Sequence, residues 1–532
     1  MIIKIIVNLP DSFKSYLKSI LNRDAYSRFY ENLILGAIII LIFIIRILTI
    51  QNPALDRTGW KEIDYITISQ NYLHNGFNLF RPTISWPAEP PRVTAMEFPL
   101  VPYLTSILYK LFGFNTFTVR LITLIAFLFI ILLVFYLVKK ELGQVTAFIA
   151  ALIAGFLPLN SFFSNILFSE PTMIAFSVFA VYHFSKWLEV NKRKHFIWSA
   201  FAFTMAILLK LEPLYLSVIF LGLFILKYKF NYTKYFRLIQ FGIISIILPV
   251  LWYGYAYYLT IYSIDTFGIF RGHDKFQTIS MLSDVNWYRA MAGSLMNLSG
   301  GKFGVLLFII GLLSLILVRK GILFFLYLAA ILLYFVIVAE GNIDASYRQL
   351  VIIPALSCFM AVGALSVMFP LSLLRKSSKH THSIFYLIGG LLIVTIIQFR
   401  HYRPDFSFSN MPHHLDEWQL SGIIHQYADS KTKMITLGSY TIHKGGNDLS
   451  PVLYYYAGLQ GWTLQKKDWD ESIIEKCRSK GADLLVGYNI NREPDLIKFV
   501  AKLKNKYSVI YENDMKGWII LSLKGRESNL MK

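Results

Sequence analysis

The sequence predicts a polytopic α-helical membrane protein of about eleven transmembrane helices, with a C-terminal soluble α/β domain. Three observations lead there. Of 532 residues, 55% are hydrophobic and 16% charged, against roughly 45–50% and about 25% in an average soluble domain. Apolar runs of near-bilayer length recur from residue 32 to residue 399. Basic clusters fall between alternate runs, as the positive-inside rule requires.

The expected spans lie near 32–50, 118–138, 145–161, 172–188, 195–209, 211–227, 238–260, 303–318, 321–338, 348–372 and 383–399. The runs on either side of Lys210 are short, and Pro213 follows closely, so one broken helix there competes with two spans. The first run lacks a small-residue cleavage site, so a spanning segment is expected there rather than a cleaved signal peptide. With the N-terminus inside, one set of loops carries Lys139/Lys140, Lys192/Arg193/Lys194, Lys227/Lys229/Lys234/Arg237, Arg319/Lys320 and Arg375/Lys376/Lys379. The other set carries most of the acids, among them Asp64, Glu97, Glu170, Glu212 and Glu340. Acids contribute little to topology, so their gathering on one side calls for a functional cause. The formal charge of +20 is scattered in short clusters between apolar runs, so no nucleic-acid partner is expected. Two cysteines, Cys358 and Cys477, give neither a disulfide framework nor metal-ligand spacing.

Three regions fall outside the spans. Residues 1–31 read as a short basic cytoplasmic segment with a surface helix, and residues 51–117 as a long first outer loop. Residues 400–532 read as an extracytoplasmic α/β domain. Its strand-like runs, at 434–437, 453–456, 484–487, 507–511 and 518–523, alternate with helical stretches near 415–428, 469–480 and 494–505.

Within the first loop, Trp60 to Tyr72 reads as a helix. Ile63, Ile66 and Leu73 share an apolar stripe, Asp64, Thr67 and Asn71 share a polar one, and Gly76 can end it. A second helix is expected from Pro99 in its first turn to a C-terminal cap at Gly113. Being apolar nearly all round, it suits a helix half sunk in the membrane interface. Periodicity alone leaves Asp64 open between a solvated face and a functional one.

The order Asp64, Pro82, Glu97-Phe98-Pro99-Leu100, Tyr109-Lys110-Leu111-Phe112-Gly113, Arg120 resembles the first loop of the GT-C glycosyltransferases. The nearest branch contains the protein O-mannosyltransferases and the lipid A aminoarabinose transferase. Phe168-Ser169-Glu170-Pro171 is similar to the family's second acidic position. Leu209-Lys210-Leu211-Glu212-Pro213 is similar to its Lys-x-x-Pro segment, and Ser346-Tyr347-Arg348 to its Tyr/Arg-bearing entry to a late span. The likeness covers residues 60–125 well, is looser to about 360, and does not reach the tail. Many relatives carry Lys-Pro after the loop glutamate where this chain has Phe98-Pro99, so a phosphate contact made by that lysine would come from elsewhere or be absent.

The resemblance implies a GT-C-like catalytic domain over 32–399 in the plasma (inner) membrane, serving a cell-envelope glycan. It implies transfer of a sugar from a polyprenyl-phosphate donor to a lipid, glycan or protein hydroxyl outside the cytoplasm, with membrane lipids as surroundings. A phosphate ester is a weak base as it leaves, so the chemistry needs one carboxylate base rather than the acid and partner of a glycosidase. Asp64 is the expected base, and a single displacement inverts the anomeric carbon. Arg348, Lys210 and Tyr347 are the expected donor-phosphate contacts, with snorkelling to the interface as the alternative for the two cations. Glu97 and Glu170 orient the base, bind acceptor hydroxyls or hold a divalent cation, or else are only favourable helix N-terminal charges. No cofactor is required by this chemistry, and a divalent cation stays open. His273 and Arg289 are candidate headgroup contacts. His413, His414 and Asp416 resemble a metal cluster loosely and read more readily as surface residues. The competing classes are a flippase or transporter of lipid-linked saccharides, which would place ionisable groups near the midplane and often show inverted repeats, and a membrane-anchored binding protein, which needs far fewer spans.

The topology is directly testable. A reporter fused after Leu420 is expected to be active only outside the cytoplasm. Activity inside would move the count by one, with the break at Lys210 as the first place to look.

Overall fold

The computed structural model describes residues 11–21, 26–56, 58–85, 92–229, 231–262, 267–270, 279–369, 386–396, 414–438 and 451–524. The helices, in chain order, begin with α1 Asp11–Ile20, α2 Arg28–Thr49, α3 Gly59–His74, α4 Leu100–Phe112, α5 Thr116–Leu142, α6 Gln144–Phe156 and α7 Pro158–Phe163. Next come α8 Ser169–Val190, α9 Arg193–Leu209, α10 Leu216–Tyr228, α11 Tyr232–Tyr262, α12 Ile279–Leu282 and α13 Val285–Ser299. Then follow α14 Lys302–Val318, α15 Ile322–Ile337, α16 Ala339–Asp344, α17 Ile353–Val367 and α18 Tyr386–Ile396. The last are α19 Leu415–Ile424, α20 Val452–Ala457, α21 Glu471–Ser479 and α22 Pro494–Lys506. The strands are β1 Thr83–Ile84, β2 Arg92–Val93, β3 Lys433–Gly438, β4 Gln460–Leu464, β5 Ala482–Tyr488, β6 Ser508–Asn513 and β7 Trp518–Ser522.

The chain divides into two compact units. The first takes 1–52, 115–255 and 274–408, and the second takes 53–114, 256–273 and 409–532.

The first unit is a bundle of apolar helices. Four described helices, Arg28–Thr49, Thr116–Leu142, Tyr232–Tyr262 and Ser346–Val367, are long and apolar enough to cross a bilayer by length and composition. The protein is a multi-pass membrane protein; the count of about eleven crossings rests on the sequence pattern. The expected span at 145–161 is two helices, α6 and α7, broken at Leu157-Pro158. Arg46, buried inside α2, caps that break: its guanidinium donates to Gly155 O and to Ser161 Oγ, both at 2.6 Å. The runs flanking Lys210 are two helices, α9 and α10, with Lys210 extended at the break and a 3₁₀ turn over Glu212–Tyr215. Helices α13 and α14 meet at 93°, where Gly300 and Gly301 both take positive φ, of 80° and 92°, a conformation open chiefly to glycine. Long stretches of α11 expose Ile243, Ile247, Val250 and Leu251, a surface suited to hydrocarbon.

Small residues set the tightest crossing. A side chain on Gly311 of α14 would overlap Phe359 O of α17, and one on Gly363 of α17 would overlap Leu307 O of α14. Ser314 and Ser366 share a hydrogen bond of 2.8 Å across the same crossing. Close backbone approach with a polar bridge is the usual way helices associate where no hydrophobic force separates protein from lipid. Helix α1 also joins this unit: Leu17 and Ile20 are buried, and Tyr16 Oη donates to Leu365 O at 2.9 Å.

The second unit joins the first loop to the tail. Its sheet runs β4-β3-β5-β7-β6, with β3 parallel to β4 and β5, and β7 antiparallel to β5 and β6. Ile435, Leu485, Ile519 and Leu521 pack under Ile474, Leu496, Val500 and Leu503 of α21 and α22. The run at 453–456 reads as a strand in sequence but is helical, within α20. Pro451 stands at its N-cap and Gly458, at φ 65°, closes it. The strand instead follows at β4, where Gly461 lies so close to Met434 O that any side chain would overlap it.

The glycine crossing carries a test. Gly363→Val must push α14 and α17 apart, so the detergent-purified protein should lose about 1–3 kcal/mol of unfolding free energy or more. Unchanged unfolding would show that the two backbones do not meet there.

Candidate functional site

In the first unit, four of the expected residues converge. Glu170 stands in the first turn of α8, where the helix dipole favours an anion. Its carboxylate lies 2.9 Å from Lys210 Nζ, and the two side chains are only 1% and 6% exposed. A second carboxylate, Glu212, lies 3.7 Å from the same ammonium. Lys210 therefore points inward to two acids and does not snorkel. The extended backbone at the α9–α10 break is what turns it that way.

The ring of Tyr347 lies beside both cations, 5.4 Å from Lys210 Nζ and 6.0 Å from the Arg348 guanidinium. Edge-on contacts fix that ring, with Phe168 at 5.5 Å and Phe163 at 6.3 Å. The 3₁₀ segment Ser346–Ile352 presents Tyr347 and Arg348 together. Gln349 Nε2 donates to Asn342 O at 2.6 Å and so ties this segment to α16. The guanidinium of Arg348 lies against Gly341, where any side chain would overlap it. Among the described residues Arg348 Nε has no hydrogen-bond acceptor. Among the described residues, two carboxylates and two cations gather around the Tyr347 ring. A small cavity of about 10 Å³, room for one water, lies among Asn160, Phe163, Ser164, Pro171 and Leu350.

The second unit holds Asp64 and Glu97. Asp64 lies on α3 and is fully buried, as is Glu62, while Lys61 is 4% exposed. The solvated-face reading of Asp64 is thereby removed. Glu97 is half-buried between β2 and α4. Asn71 does not face the site with Asp64 as a free polar group: its amide donates to Thr83 O at 2.7 Å and to Ser85 Oγ at 3.0 Å. Pro82 supports the same hairpin, accepting from Thr94 N at 2.9 Å. Helix α4 buries Val101, Thr105 and Tyr109 and exposes Ile107, Leu111 and Phe112, so one flank is packed and the other bare.

Other sequence candidates divide. Arg120 belongs to the first unit and is structural there, donating to Ile50 O and Asn52 O at 2.7 and 2.6 Å just past the end of α2. Arg289 is exposed and bonds its neighbour Asn286. His273 and His413 lie outside the described residues. His414 is buried, 5% exposed, and is paired with Glu417 at 3.0 Å rather than with Asp416; it is not a surface residue. Among the described residues no group of three His, Cys, Asp or Glu is placed to hold a metal ion. Glu212 and Gly341 were missed as site residues. Glu212 had a signal in its place two residues after Lys210, and Gly341 had none.

Known proteins supply a frame for this geometry. A family model described as dolichyl-phosphate-mannose-protein mannosyltransferase matches residues 91–253. The chain is similar to apo ArnT from Cupriavidus metallidurans, at 13% identity and a TM-score of 0.59, covering 91% of this chain and 97% of that one. ArnT bound to undecaprenyl phosphate gives 12%, 0.57, 91% and 97%. The apo oligosaccharyltransferase of Archaeoglobus fulgidus gives 12% identity and a TM-score of 0.50, covering 87% of this chain and 70% of that one. No curated protein matches in sequence.

The buried ion pair is open to a double-mutant cycle. Glu170→Leu and Lys210→Met should each destabilise the protein by roughly 3–5 kcal/mol, less where Glu212 compensates, because each strands a buried charge. The double variant should lose clearly less than the sum. Strict additivity in SDS or thermal unfolding would show that the two groups are not coupled.

Proposed function

Starting from a chain with the GT-C glycosyltransferase fold, we propose that this protein moves a sugar from a polyprenyl-phosphate donor to an acceptor hydroxyl outside the cytoplasm. The observation that carries the reading is the buried pairing of Lys210 with Glu170 beside Tyr347 and Arg348. A lysine and an arginine gathered on one tyrosine ring are donor types suited to a phosphate. A known protein of the same fold was crystallised with undecaprenyl phosphate, which fits a lipid phosphate there.

The chemistry is one displacement. The acceptor oxygen attacks the anomeric carbon, the bond from that carbon to the phosphate oxygen breaks, and its electron pair leaves on the phosphate. The acceptor proton passes to Asp64, and the configuration inverts. Full burial of Asp64 supports a working role, since an aspartate is almost never withdrawn from water without a partner or a task. Arg348 supplies a planar fork to the leaving phosphate and Lys210 a point charge. Tyr347, wedged against both, offers its hydroxyl to the same phosphate. Glu170 fixes Lys210, and Glu97 orients the base or binds the acceptor. The acceptor is a lipid, a glycan or a protein hydroxyl, and the site lies on the extracytoplasmic face of the plasma membrane.

Two substitutions separate the roles. Asp64→Asn keeps the shape and removes the proton acceptor, so undecaprenyl phosphate binding should survive while sugar transfer falls roughly 10²–10⁴-fold. Near-normal transfer would move the base to Glu97 or Glu170. Arg348→Ala should weaken undecaprenyl phosphate binding by about ten- to a hundredfold, the equivalent of roughly 1.5–3 kcal/mol for a charge-assisted contact. Wild-type binding in that variant would leave Arg348 an interfacial anchor.

A further inference from the structure

Helix α3 is buried on almost every side, and among the described residues one of the surfaces that cover it comes from the tail. Val452, in the first turn of α20, packs with Ala54 and Ile63 in one cluster, flanked by Trp60, Tyr455 and Tyr456. Ile63 directly precedes Asp64. The chain leading into α19 adds a second hold. His414 N donates to Leu55 O at 3.1 Å, and the His414 ring is 5% exposed, with Nδ1 3.0 Å from Glu417 Oε1. Glu417 is itself only 2% exposed. The ring closes over Gly59, the first residue of α3: a Cβ there would overlap Ala54 O and lie 3.3 Å from His414 Cδ2. Glycine at that position is what lets Ala54 O pack on the start of the helix, with the imidazole just beyond it.

We infer that the C-terminal domain is a positioning element for the base, with Val452, His414 and Glu417 as the positioning residues that fasten the first two turns of α3. The inference rests on Asp64 acting as the base. Its physical reason lies in the helix itself. A helix of 16 residues is marginal alone in water, and this one buries two carboxylates, Glu62 and Asp64, among its apolar residues, so it depends on its neighbours for cover. Its position is therefore set by what packs on it. A base displaced by about 1 Å can lose on the order of a hundredfold in rate, so the domain that clamps Ile63 also determines whether Asp64 is in place. Glu417 accepts from Nδ1–H and holds the imidazole in one orientation, the part a carboxylate plays for any buried histidine whose ring must not turn.

The test uses full-length protein carrying Val452→Ala, His414→Ala or, as the conservative control, Val452→Ile. Two quantities are read: amide hydrogen exchange of residues 60–72, and kcat for transfer from a panel of undecaprenyl-phosphate-linked labelled hexoses and pentoses. In the two alanine variants, exchange across α3 should quicken and kcat should fall, each by roughly tenfold or more. Exchange in β3 and β5 and binding of undecaprenyl phosphate should stay within about twofold of wild type, and Val452→Ile should restore both readings. Unchanged exchange in α3 would overturn the inference. So would faster exchange with an unchanged kcat, because the contact would then be only structural. The exchange reading does not depend on which group is the base. Failure of Asp64→Asn to lower transfer would sink the proposed base by itself, without touching the clamp.

Discussion

Lys210 and Glu170 meet at 2.9 Å with almost none of either side chain exposed, and much of the first unit is arranged to make that affordable. An ammonium withdrawn from water costs several kcal/mol unless an anion and good geometry replace its hydration. The chain must therefore break between α9 and α10 so that Lys210 can turn inward. Glu170 must start α8, where its charge is also favoured by the helix dipole. Glu212 must follow two residues later, within 3.7 Å. Phe163 and Phe168 then wedge Tyr347 beside the ammonium, and the next residue in the chain is Arg348. A side chain on Gly341 would meet that guanidinium where it now lies. Each requirement follows from the one before, starting from a single buried cation.

The second unit solves a related problem with a different device. Helix α3 carries Lys61, Glu62 and Asp64 at 4% exposure or less, so it has no solvent face on which to place them. Burial of that kind needs cover from several directions. Helix α4, the β1–β2 hairpin pinned by Asn71, and α20 from the tail supply it. Thus a loop of the membrane chain and a sheet domain far along the sequence form one compact unit, where the sequence pattern marks a boundary at residue 400.

What was legible in the sequence was what local chemistry decides. Helices α3 and α4 could be read because glycines and a proline mark their ends. The Lys210 break could be read because two short apolar runs and a proline do not make one span. The strands β3, β5, β6 and β7 alternate or cluster apolar residues in the usual way. Residues 452–457 could not be assigned in the same manner, because a six-residue apolar run has the same appearance in a buried strand and in a short helix. His414 looked like a surface residue because its covering, Leu55 and Gly59, comes from the opposite end of the chain.

The sequence by itself therefore determined the membrane class, the GT-C likeness and the ends of several helices, because hydropathy, charge placement and capping act over a few residues and need no partner. The pairing of Lys210 with Glu170 and Glu212, the burial of Asp64, the open side of Gly341 beside Arg348 and the hold of the tail on α3 were decided only by tertiary structure. Each depends on groups that lie far apart in the chain. The cost of burying a charge or leaving a gap is set by what surrounds it, and surroundings exist only once the chain has folded.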